Sequence, residues 1–323
     1  MHEVVMAYGT VGELSERLSA LEREVTLLRA LLDSHRRLAD RGEPPRRPPS
    51  VAPRPEPSGA RPAAAPPGHW EVTCLGAFRL RCAGREVAPC ASQRGWSILA
   101  YLLASPRYAA PADLLVEALW PQAAPAAGAH NLQMAIHSLR RSLRGCGPDG
   151  SDDVILFRQG LYRLHPALSV QQDVDAFRAA YERGRRAGPD AALNDEALRA
   201  FEAARDWYGG PYLADLPHAE WAESRRVALQ DVHLSVLGRL SVAYGQAGEW
   251  DLAAAACREV LAADPYREDA VRQLMRCHAA TGRLVDVQRT YRLHRERLLQ
   301  DLQVAPADET DWLARALDPR PGR

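Results

Sequence analysis

Arginine, histidine and glutamine crowd residues 126–145, AAGAHNLQMAIHSLRRSLRG. No Asp or Glu interrupts residues 123–148. Such a set suits nucleic acid: arginines neutralise phosphates, and Gln, Asn or Arg hydrogen-bond base edges in a major groove. Leu132, Ile136, Leu139 and Leu143 recur at steps of 4, 3 and 4, so they share one face of a helix. His130, Gln133, His137, Arg140, Arg141 and Arg144 fall on the other. The competing reading is an amphipathic helix with a solvated polar face. The flanking elements decide between them.

Catalysis finds little footing. None of the 41 basic residues is Lys, which removes P-loop, Schiff-base and kinase-type lysines. No G-x-S-x-G occurs. His218 and Glu220 lack a second His at metal spacing. On a helix His130 and His137 stand two turns apart, about 10 Å, too far to share a metal. The six cysteines form no C-x-x-C pair, and Cys74, Cys82 and Cys90 read as small buried apolar residues with reduced thiols. The expectation is no enzyme, no metal and no cofactor. With no 18-residue apolar run and no signal sequence, it is also a cytoplasmic protein without a membrane partner. The formal net charge is zero over 323 residues, so any DNA contact must come from a local patch.

Four segments follow from pattern. Residues 1–43 carry a heptad in which Val11, Leu18, Val25 and Leu32 take one core position and Leu14, Leu21, Leu28 and His35 the other. That pattern suits a parallel dimer through residues 11–35. Leu27, Leu31 and Leu38 off the seam leave a larger bundle open, and a single helix packed on its own protein is the competing reading. Residues 44–68 are a Pro-rich linker, able to reach on the order of 75 Å if fully extended. Residues 69–168 read as short strands (WEVTCLG, FRLRC, REVA), three helices and a β hairpin around Arg158-Gln159-Gly160. The first helix, residues 92–104, turns Trp96, Leu99, Leu102 and Leu103 inward; the second, from Pro111, does so with Leu114, Leu115, Ala118 and Leu119; the third is the basic stretch. From residue 173 to 318 the pattern is all-helical. It holds a repeat offset by 34 residues, from Leu240 and from Leu274, which aligns Gly248 with Gly282 and Trp250 with Leu284. That is the tetratricopeptide period. Pro265 ends the first unit, whereas Leu299 at the matching place predicts a longer capping helix, with one more short helix over residues 308–317. Trp207, Trp221, Trp250 and Tyr291 are expected in the core.

The order sheet, three helices, hairpin resembles an OmpR-type winged helix-turn-helix. QRGWSILAYLL, ADLLVEALWP, NLQMAIHSLRRSL and ILFRQGLYRL resemble its blocks, with Leu161 where a second Gly often sits in the wing. DVDAFRAAYERGRR, EALRAFEAARDWYGGPYLADL and EWAESRRVALQ resemble the bacterial transcriptional activator domain, which follows the winged helix in the SARP family. Its landmarks fall on Asp175, Phe177, Trp207, Gly210, Leu213, Trp221, Glu223 and Arg226. The resemblance spans roughly residues 70–317. It implies a mainly α protein with small sheets: an activator that binds promoter direct repeats in double-stranded DNA and contacts RNA polymerase. A tetratricopeptide-like scaffold with a degenerate winged helix is the alternative. In a docked helix-turn-helix the N-terminal half of the third helix enters the groove. His130, Gln133 and His137 are therefore base readers, with Gln133 matched to adenine and His137 to guanine. Arg140, Arg141 and Arg144 are phosphate contacts. Arg158 at the wing reaches the adjacent minor groove or its phosphates. Arg163, in the second hairpin strand, is assigned to packing or backbone contact.

Overall fold

The computed structural model describes Thr26 and residues 66–188, 193–216 and 219–318. The heptad and all but the last residues of the Pro-rich segment lie outside the described residues. Two compact units divide the described residues, one over 66–188 and 194–236, the other over 237–318. The boundary falls inside one long helix.

The first unit opens with β1 (His69–Thr73), β2 (Arg79–Cys82) and β3 (Arg85–Glu86). Its helices and strands continue as α1 (Gln93–Ala104), β4 (Ala109–Pro111), α2 (Ala112–Leu119), α3 (Pro125–Ser142), β5 (Ile155–Arg158), β6 (Leu161–Leu164), β7 (Ser169–Gln172), α4 (Asp173–Ala187) and α5 (Asp195–Trp207). One sheet runs β3-β2-β1-β7, the other β4-β6-β5. Alternation in β1 explains its faces: Trp70 and Val72 are buried, whereas Glu71 and Thr73 point outward. Two strands escape the periodicity reading. β4 is a three-residue strip between α1 and α2, and β7 pairs in parallel with β1 before the first all-helical segment. Both are too short to show alternation. On α1, Trp96, Ile98, Leu99, Leu102 and Leu103 are all buried, and Ser92 caps the helix by accepting from the Gly95 N–H. On α2, Leu115 and Leu119 go inward as expected, but Leu114 is 46% exposed. An eight-residue helix with one buried seam has no place for a third leucine.

Asp173 fastens α4 to the first sheet. Its carboxylate accepts from the backbone N–H of Cys74, Leu75 and Val174 at 2.8–2.9 Å. Burial nonetheless pushes the Asp173 carboxyl above its usual range. The landmarks further on are anchors of the same kind. Leu213 and Tyr212 are fully buried, Arg226 donates to the Tyr212 carbonyl at 3.0 Å and pairs with Glu223, and the Trp221 ring lies 4.9 Å from Tyr101. Phe177 is fully buried. Trp207 breaks the core expectation. It ends α5, remains 49% exposed, and lines a shallow cavity of about 540 Å3 with Thr73, Gln171 and Asp175.

Helix α6 (Glu223–Gln246) leads into the second unit, which adds α7 (Trp250–Ala263), α8 (Glu268–Ala280), α9 (Leu284–Arg297) and α10 (Asp308–Ala316). The repeat is visible in the backbone. Both Gly248 and Gly282 have positive φ, at 80° and 74°. The following N–H bonds five residues back in each turn, Glu249 to the Tyr244 carbonyl and Arg283 to the His278 carbonyl. This is the Schellman closure, for which glycine is favoured because it lacks a Cβ. α7 stops at Ala263, before Pro265, whereas α9 runs on through a π turn, Leu298–Leu302. Trp250 and Tyr291 are partly buried against the core of Val271, Met275, Val287 and Leu313.

Candidate nucleic-acid interface

The third helix of the winged-helix order, α3, has a sealed side and an open side. Leu132, Ala135, Ile136 and Leu139 are buried, and Leu143 closes the C-terminal end. His130, Gln133, Met134, His137, Arg140, Arg141 and Arg144 are exposed, and Asn131 is half-buried. At about 3.6 residues per turn the open side forms two ridges. One carries His130, Met134, His137 and Arg141; the other carries Gln133, His137, Arg140 and Arg144.

Neighbouring elements hold this helix closely. A Cβ added at Gly95 on α1 would lie 2.9 Å from the Ala135 carbonyl oxygen, so the two backbones approach only because that Cβ is missing. Pro125 occupies the first turn, where its missing N–H costs nothing. Past the far end, the Trp70 indole N–H donates to the Cys146 carbonyl at 2.8 Å, and the Gly145 N–H donates to Asp152 at 2.9 Å.

The hairpin is fixed to both neighbours. Gln159 and Gly160 have φ of 51° and 77°, giving a two-residue turn with both central residues left-handed, as type I′ requires. Leu161 stays in the strand, paired with Arg158 and with Pro111, so the departure from the family pattern falls beside the turn and not in it. The Gly160 carbonyl accepts from the Ala112 N–H at 2.9 Å, which ties the wing tip to the start of α2. Arg158 is exposed at that tip. Phe157, 51% exposed, rests on Tyr162 with ring centroids 4.5 Å apart.

All seven predicted site residues are therefore exposed, six on α3 or its C-terminal end and Arg158 on the wing. Their commitments differ. Arg140 donates from Nη2 to the Ile155 carbonyl at 2.8 Å and so holds α3 against β5. Among the described residues, Arg140, Arg141, Arg144 and Arg158 enter no ion pair. Arg163 is half-buried within β6, between its strand partners Leu156 and Ala109. Two features of this surface escape a reading of residue types. Met134 is 57% exposed among the polar side chains, which a helical projection could have located. The Arg140 bond to Ile155 joins residues 15 apart and leaves no trace in the sequence.

Among the described residues, no group of three His, Cys, Asp or Glu could hold a metal ion. All six cysteines are buried and free. Burial pushes the Cys74 and Cys90 thiols up, away from the thiolate that reactivity needs, and carries Cys146 to about 12. Among the described residues, no helix is long and apolar enough to cross a membrane.

Residues 172–317 match the family profile of the bacterial transcriptional activator domain. The chain is 30% identical over 240 residues to the transcriptional regulatory protein MoaR1 of Mycobacterium tuberculosis, across 74% of this chain and 76% of that protein. It matches MoaR1 of Mycobacterium bovis to the same extent. The chain belongs to the SARP-type transcriptional regulators. Mycobacterium tuberculosis EmbR, solved in complex with a low-affinity phosphopeptide, shares the fold with a TM-score of 0.63 at 23% identity. That likeness covers 78% of this chain and 66% of EmbR. In this SARP-type regulator, then, the exposed basic helix belongs to a chain similar to the transcriptional regulatory protein MoaR1.

Proposed function

We propose that this regulator is a sequence-specific DNA-binding activator that acts in the cytoplasm. It binds direct repeats near a promoter in double-stranded DNA and contacts RNA polymerase. The observation that carries this reading is the exposed, acid-free face of α3 beside the exposed Arg158 of the wing. α3 enters the major groove. His130, Gln133 and His137 face base edges; Arg141 and Arg144 clamp phosphates, and Arg140 does so with the part of its fork not given to Ile155. Arg158 reaches the neighbouring minor groove or its phosphates. The helical domain meets the polymerase, and the heptad over residues 11–35 joins two or more chains. The Pro-rich linker holds them close without fixing their orientation.

The deciding experiment maps genomic occupancy and selects binding sites from a random DNA pool. Enrichment of a repeated motif upstream of genes supports the reading. Absence of any selected motif, with a protein partner captured by the helical domain, would favour a scaffold with a degenerate winged helix. Removing residues 1–43 should lower the mass measured by light scattering. Equal masses would remove the heptad as the element of association.

A further inference from the structure

We propose that Met134 is a specificity-determining residue that reads the 5-methyl group of a thymine beside the base read by Gln133. The inference rests on the DNA-binding reading and extends it to a residue of a different chemical kind. The core does not use this side chain. Leu132, Ala135, Ile136, Leu139 and Leu143 already seal the inner side of α3, and each is at most 4% exposed. Met134 keeps 57% of its surface in water. Among the described residues it is the only large hydrophobic of α3 exposed to that degree; Leu114 lies on α2, and Phe157 and Leu161 lie on the wing.

Its place on the helix sets what it can meet. Met134 stands one turn after His130 and one turn before His137, on the ridge that ends at Arg141. Anything that docks with these residues also buries Met134. A major groove offers hydrogen-bond donors and acceptors at every base pair, but only one apolar group, the thymine methyl. Against any other base edge a buried thioether would desolvate polar groups without replacing their hydrogen bonds. Against a thymine methyl it removes two apolar surfaces from water. Methionine is unbranched and flexible enough to meet that methyl without a fixed rotamer. Gln133 is the adjacent residue, so an adenine read by Gln133 and a thymine read by Met134 fall in the same or neighbouring base pairs.

Replacing thymine by deoxyuridine removes this methyl and leaves every hydrogen bond of the base pair in place. The full chain is titrated with its selected site, and with copies carrying deoxyuridine at one thymine position at a time. For the native chain, one position should weaken binding about 3- to 5-fold, the value of one methyl group removed from water. Met134→Ala should bind the thymine site weaker by a similar factor and be indifferent to deoxyuridine there; Met134→Leu should keep the preference. This coupling between residue and methyl is the readout a merely structural methionine would not move. Equal affinity of the native chain for every deoxyuridine site overturns the proposal, as does an unchanged penalty in Met134→Ala; both leave the DNA-binding reading standing. A chain that binds no DNA in any form overturns both, and is told apart by the missing complex with the thymine site itself.

Discussion

The arginines of α3 and four arginines of the repeat unit are one residue type in two conditions. In the repeat unit these four are paired, whereas Arg258, Arg289, Arg292, Arg295 and Arg297 enter no ion pair among the described residues. Arg267 lies 2.7 Å from Asp269, Arg272 lies 3.5 Å from Glu309, Arg283 lies 3.4 Å from Asp251, and Arg315 lies 3.9 Å from Asp311. On α3 and the wing, Arg141, Arg144 and Arg158 are exposed and enter no ion pair among the described residues. The difference shows how a chain of zero formal net charge can carry a basic surface: the balance is struck elsewhere. It also matters energetically. A phosphate that meets an unpaired guanidinium releases counterions, whereas a phosphate that meets a paired one must first displace a carboxylate.

Breaking the unpaired set should have the largest effect. Arg141→Ala with Arg144→Ala should weaken binding roughly 10- to 100-fold near physiological salt. The slope of log affinity against log salt should become shallower by about 1.8, at about 0.9 per phosphate contact. The loss should be similar on any DNA sequence, in contrast to Gln133→Ala, which should change the preferred sequence. A salt titration with an unchanged slope would take both arginines out of the interface.

Arg140 sharpens the comparison because it belongs partly to each class. Its bond to the Ile155 carbonyl is charge-assisted and half-buried, so Arg140→Ala should cost about 1–2 kcal/mol of stability, read as a lower melting temperature. Arg141→Ala, which lacks such a bond, should leave melting nearly unchanged. Equal melting of the two variants would show that the tether to β5 contributes nothing.

Sequence pattern located most of the scaffold and only part of this distinction. The steps of 4, 3 and 4 in α3 were sufficient to place Leu132, Ile136, Leu139 and Leu143 inward, because helical period and burial are local. The 34-residue offset placed both glycine turns, since a left-handed position selects its residue type. Trp207 and Leu114 were misplaced for the opposite reason. Their exposure depends on what lies across from them, and apolar type alone does not report it. β7 depends on its parallel partner β1, about 100 residues earlier, and its four residues carry too little alternation to announce it. The candidate site was legible as a list of residue types. Whether each arginine is free, tethered or paired was not, because carboxylates and carbonyls arrive from distant elements.

Two pairs of histidines contrast the same two regions. His130 and His137 are exposed on α3, whereas His278 on α8 and His294 on α9 are buried. Burial holds both buried imidazoles below their usual range. Arg283 and Arg258 add to this at His278 against Asp286, and Glu268 and the Pro265 carbonyl oppose it at His294. The folded repeat unit therefore keeps them neutral where the unfolded chain, with histidine near about 6.5, takes up protons. Their stabilisation is present above that value and is lost as pH falls through it toward the lowered folded values. The melting temperature should drop between about pH 7 and about pH 5, and less steeply in His278→Gln. A profile equally steep in that variant would assign the acid sensitivity to other groups.

The smallest effect should come from the paired class. Arg315 is 78% exposed in its side chain and stands 3.9 Å from Asp311 at one helical turn. An exposed pair of this kind gains little Coulomb energy in water and loses side-chain freedom, so Arg315→Ala should change stability by less than about 0.5 kcal/mol. DNA affinity and its salt slope should not move. A loss of affinity comparable to that of Arg144→Ala would undo the comparison, because a paired arginine on the repeat unit would then contact phosphate as strongly as an unpaired one on α3. If only the α3 variants respond, the separation of the two sets is what makes a neutral chain a binder of DNA.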